Sequence, residues 1–102
     1  MPEARFTVRW PDGSVGECWS PSLVVHDHLD VGATYAVEEF VRRTVLAMDE
    51  ASERVRAKFG FACTSAAATA DDVRRAAAPF SPDQTVQVLR IHPPLPSHQE
   101  GS

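Results

Sequence analysis

The sequence has no excess of positive charge: ten Lys and Arg stand against fourteen Asp and Glu, a net charge of −4 over 102 residues. A surface that tracks a phosphate backbone needs the opposite balance, so no nucleic-acid partner is expected. Long hydrophobic runs are missing too. The longest uncharged stretch, Phe59 to Ala70, covers twelve residues, where a membrane-crossing helix takes about twenty mostly apolar ones. Arg5, Arg9, Pro11 and Asp12 break up the N-terminal segment before an apolar signal core can form. A cytoplasmic chain with no membrane contact is the expectation. The five glycines are scattered, which leaves no phosphate-cradling loop, and no Ser-centred elbow occurs. Cysteine is sparse as well. Cys18 and Cys63 form no Cys-x-x-Cys pair, which excludes a zinc ribbon or a thioredoxin-type redox motif, and a cytosolic setting keeps thiols reduced. No cofactor is implied.

What is present is ordinary for a folded chain, with 43% hydrophobic and 24% charged residues, far from the composition of disorder. Phe6, Val8 and Trp10 alternate with Arg5, Thr7 and Arg9, the period of two of a half-buried strand. Trp10-Pro11-Asp12-Gly13 suits a type I turn with a positive-φ glycine at its end, a three-residue hairpin loop. That loop pairs Phe6 with Cys18, Val8 with Gly16 and Arg5 with Trp19, and sets Glu17 diagonally between Arg5 and Arg9. A two-residue Asp12-Gly13 turn is the competitor and pairs the strands less well. Leu23–Leu29 reads as a short helix or an extended segment, with Ser20 as N-cap and Pro21 at the first helical position favouring the helix. Asp30-Val31-Gly32 is a turn, and Thr34 is the expected N-cap of the next helix.

From Val37 to Phe59 apolar residues recur at three- and four-residue steps, the strongest signal in the chain. Glu38–Arg42, Glu39–Arg43 and Glu50–Arg54 are oriented to support that helix. Arg54, Arg56 and Lys58 suit its C-terminal end, and Gly60 its left-handed cap. Thr69 with Asp72 resembles a capping box for a second helix over Ala70–Ala78, closed by Pro79. Val86, Val88, Leu89 and Ile91 form a β-branched run with apolar side chains on both faces. The expected fold is α+β in two layers: a three-stranded sheet, made of the N-terminal hairpin and the C-terminal strand, covered by a long helix and a second, shorter one. Residues 1–91 form this single domain and the proline-rich residues 92–102 a mobile tail.

Chemistry is thinly signalled. Cys18 and Cys63 are the candidate thiols. A nucleophilic role needs a nearby base, and none of His26, His28, His92 or His98 has a spacing that argues for it; small buried hydrophobes are the simpler reading. His26 and His28 project together only on an extended segment, where they would form a two-ligand metal grip; on a helix they diverge. Val15 and Trp19 are apolar on a strand face where a solvated sheet is polar, so that face, with Arg5 and Glu17, is the candidate partner or ligand surface. The blander reading is one exposed aromatic masked by Arg5. Open sheet edges together with Trp19 point to a homodimer.

Three strings carry a family resemblance: Arg5-Phe6-Thr7-Val8-Arg9-Trp10-Pro11-Asp12-Gly13-Ser14, then Cys18-Trp19-Ser20-Pro21-Ser22-Leu23-Val24-Val25, then Ala51 through Cys63. In order and spacing the chain resembles, from Met1 to about Arg90, small bacterial nitrogen starvation response proteins. The resemblance implies a gene setting beside a nitrilase-type hydrolase, a radical S-adenosylmethionine protein, an acetyltransferase and a flavoprotein, used for nitrile or cyanide nitrogen. It carries no catalytic residue. Where the family has Lys and an aromatic, this chain has His26 and His28, which weakens the metal reading. The leading expectation is a non-enzymatic accessory protein that binds a pathway enzyme or a small ligand. A thiol-dependent enzyme or redox protein using Cys18 or Cys63 is the alternative, and a metal-binding module at His26 and His28 the second.

Overall fold

The computed structural model describes residues 3–60 and 64–93. Its elements in chain order are strands β1 (Ala4–Arg9) and β2 (Val15–Ser20), a 3-10 helix (Leu23–Asp27), strand β3 (Thr34–Ala36), helices α1 (Val37–Phe59) and α2 (Thr64–Ala77), and strand β4 (Thr85–His92). The α+β class is as expected, but the sheet has four strands, ordered β2-β1-β4-β3 and antiparallel throughout.

The first hairpin follows from its turn. Gly13 takes φ +88° and donates its N–H to Trp10 O, and Trp10 N donates to Ser14 O, each at 2.8 Å. Asp12 Oδ1 accepts from both the backbone N–H and the hydroxyl of Ser14, which holds its carboxyl below the usual range. The three-residue loop therefore sets the register Phe6–Cys18, Val8–Gly16 and Arg5–Trp19.

The extra strand explains why Thr34 is not a helix cap. The first amides of a helix lack intrahelical acceptors; here Val37 N donates to Gln84 O at 2.7 Å and Glu38 N to Pro82 O at 3.1 Å. Those loop carbonyls take over the capping role, Ala36 occupies the N-cap position without a side-chain bond, and Thr34 is released to pair with Gln87 in β3. The Asp30-Val31-Gly32 turn before it forms as expected, with Gly32 at φ +88° and Ala33 N bonded to Asp30 O. The segment after β2 is helical, though as a 3-10 helix capped by Ser22 rather than Ser20, its hydroxyl accepting from Val24 N at 3.2 Å. Ser20 instead bonds Ser22 O through its own hydroxyl. At the far end of α1, Gly60 adopts φ +85° and its N–H closes on Arg56 O, as the sequence indicates.

Strand β4 corrects another expectation. Val8 pairs with Val88 but Thr7 with Arg90, so Leu89 is an extra residue, a β-bulge. The bulge shifts the alternation by one position and returns Ile91 to the side of Val86 and Val88, all three buried. The apolar run thus serves one face; Leu89, half-buried, marks the phase change. Against that face Phe40, Ala47 and Met48 of α1 and Ala66, Ala70 and Val73 of α2 close the core. Trp10 joins it at the hairpin end, edge-on to Phe40 (5.5 Å) and stacked on Phe80 (5.9 Å). Strand β4 reaches His92, one residue past the expected end of the domain.

Candidate functional site

The opposite face of the sheet carries no helix among the described residues. Its side chains form rows across three strands: Trp19, Arg5 and His92; Glu17, Thr7 and Arg90; Val15, Arg9 and Gln87. Arg5, Arg9, Glu17, Arg90 and His92 are exposed, and Val15 is 58% exposed. Arg5, Thr7, Glu17, Arg90 and His92 surround a depression of about 270 Å³. Trp19 is half-buried, its indole N–H donating to Glu3 Oε1.

The charges on this face differ from those elsewhere. On the helices Arg42 and Arg43 share Glu39, Arg54 meets Glu50, Arg56 meets Glu53, Arg74 meets Asp71 and Arg75 meets Asp72. Glu38, the expected partner of Arg42, is not used. The two guanidiniums, Arg42 foremost, hold the Glu39 carboxyl below its usual range. Among the described residues Arg5, Arg9 and Arg90 make no such ion pair, and all three project from the open face.

A second cavity, of about 280 Å³, lies on the other side of β2, between that strand and α2. Trp10, Gly16, Cys18, Asp72, Val73 and Ala76 line it. Strand and helix are tied beside it by Thr69, whose hydroxyl donates to Trp19 O at 2.8 Å. Thr69 is therefore an interior residue of α2 and not its cap, because the helix begins at Thr64.

A sequence model of the family described as nitrogen starvation-induced protein NitG matches residues 5–91. The chain belongs to the NitG family. Comparison with curated proteins and with solved structures finds no match.

Within this NitG-family chain, the residues singled out from sequence fall into three groups. Arg5, Glu17, Trp19 and Val15 do share one surface, with Arg5 directly across from Trp19. The cation–π contact among the described residues lies elsewhere, with Arg43 4.9 Å from the Tyr35 ring centre. Arg90 and His92 complete the surface, and only the bulge at Leu89, which the sequence pattern hides, places them with Thr7 and Arg5.

Cys18 is a free thiol whose burial, followed by the nearby charges of Asp72 and Glu17, pushes its pKa up to about 11. Such a thiol stays protonated at neutral pH and is a poor nucleophile. Cys63 lies outside the described residues, as does His98. His26 and His28 are not brought together as a ligand pair: His26 Nε2 donates to Pro93 O and His28 Nε2 to Glu50 Oε1, both at 2.9 Å. The His28 contact lowers the Glu50 pKa, and Arg43 adds a bond to His28 O at 3.0 Å. The two rings pin the 3-10 helix to the end of β4 and to α1. No group of three or more metal-ligating side chains occurs among the described residues, and no described helix is long and apolar enough to cross a membrane.

Proposed function

We propose that this NitG-family protein is a non-enzymatic accessory protein of the nitrogen-starvation response and that it binds its partner, a pathway enzyme or a small ligand, through the open face of the sheet. One observation carries the reading: in a chain of net charge −4, the arginines left without an acidic partner among the described residues that lie in the sheet all stand on its uncovered face. Unpaired, exposed guanidiniums cost nothing in water and gain most from a carboxylate or phosphate brought to them, often in two-pronged geometry. Trp19 and Val15 beside them add the apolar contact typical of interface anchors.

The gene setting implied by the family resemblance supplies the first enzymes to try: the nitrilase-type hydrolase, the radical S-adenosylmethionine protein, the acetyltransferase and the flavoprotein. Calorimetry of the purified chain against each is expected to find one binder whose affinity falls at least tenfold with Arg5→Glu/Arg90→Glu. The alternative of a thiol enzyme predicts instead a turnover by the chain alone that Cys18→Ala or Cys63→Ala abolishes; finding it would replace the accessory reading.

A further inference from the structure

The cavity between β2 and α2 shares Glu17 with the depression on the open sheet face and has a feature that the fold does not use. Trp10 is only 7% exposed, yet no acceptor among the described residues bonds its indole N–H. Buried indoles ordinarily find an acceptor. The nitrogen is not sealed in the core either, since the buried polar side-chain atom without a partner among the described residues is Thr44 Oγ1. Gly16 keeps it open: a Cβ there would sit 3.2 Å from Trp10 Nε1, and Gly16 and Trp10 both line the cavity. A donor is thus aimed into a space near the lower end of ligand-pocket size.

The rest of the lining defines what can enter. Val73, Ala76 and the protonated Cys18 thiol present an uncharged wall. Asp72 and Glu17 line the cavity as well, and Asp72 commits only Oδ1 to Arg75. Carboxylates accept hydrogen bonds and repel anions. A fitting molecule is small, has an apolar body, offers an acceptor to the indole and N–H donors to the carboxylates, and bears no negative charge. We infer that this cavity binds a small neutral carboxamide, with its carbonyl on Trp10 Nε1–H, its N–H groups toward Asp72 and its apolar part against Val73 and Ala76.

Benzamide is the probe and benzoate, of the same shape but anionic, its control. In a proton–nitrogen correlation spectrum the two indole signals, Trp10 and Trp19, are assigned with Trp19→Phe. Benzamide is expected to shift the Trp10 indole signal saturably, and benzoate to bind at least tenfold more weakly. Trp10→Phe keeps an aromatic ring and removes the donor, which weakens benzamide by about 3- to 10-fold, the range for one neutral hydrogen bond. Ala76→Trp, at an exposed position of α2, fills the cavity without entering the core and abolishes binding even where Trp10→Phe fails to fold. An unmoved Trp10 signal, benzoate binding as well as benzamide, or undiminished binding in Ala76→Trp overturns the inference.

Discussion

Cys18 illustrates how a residue type that suggests chemistry can be assigned by its surroundings. It faces Phe6 from β2, half-buried, with Asp72 and Glu17 nearby, and every one of these influences opposes the thiolate. Because the folded-state pKa is raised, the stability it confers is fully present below the unfolded value near 9.0 and is lost as pH rises toward about 11. Wild-type protein is expected to lose more stability across that window than Cys18→Ala, measured by urea denaturation at each pH. Equal slopes would place the thiol in water. Gly60 makes a second residue-scale prediction: at φ +85°, Gly60→Ala forces a left-handed alanine and costs about 1–2 kcal/mol, read from the same denaturation curves. That cap and the Trp10–Gly13 turn were legible because a few adjacent residues determine them. Thr69 was not. Its spacing to Asp72 mimics a capping box, and only the packing of α2 on β2 shows that its hydroxyl serves Trp19 O.

At the scale of elements, legibility followed length and locality. The stripe from Val37 to Phe59 is 23 residues of one helix, and no short-range feature competes with it. Strand β3 has three residues, too few for an alternation, and it exists because β4 offers it an edge. In β4 itself the Leu89 bulge hid the parity that puts Arg90 and His92 on the open face. The α2–β2 contact holds an edge strand to the helix layer, and Thr69 supplies a side-chain bond across it. Thr69→Val keeps the volume and deletes that bond, leaving a half-buried carbonyl short of a donor; a loss of about 1 kcal/mol is expected. Faster hydrogen exchange confined to Trp19 and its neighbours in β2 would locate the effect, whereas a uniform change would not fit it.

For the whole molecule, the distribution of charge is the organising fact. Acidic residues outnumber basic ones, but the helices consume most of their acids locally in pairs three or four residues apart, and the sheet's outer face is left with three arginines against Glu17, beside a tryptophan. Half of that surface, Arg5 with Trp19, Glu17 and Val15, was readable from the hairpin alone. The other half depended on strand order, which no local pattern encodes. Since the outer face supports nothing in the core, Arg5→Glu/Arg90→Glu is expected to leave the melting temperature within about 2–3 °C of wild type, as surface substitutions generally do. A larger drop would show the arginines to be structural.

The most direct test of the proposed binding surface is native mass spectrometry of untagged protein gently purified from nitrogen-starved cells, wild type beside Arg5→Glu/Arg90→Glu, with denatured masses from the same samples. The account predicts that wild type carries a bound enzyme or ligand, that its denatured mass is that of the bare chain, and that the folded double variant has lost the load. A bare wild-type chain, or a double variant with the same load, would contradict it.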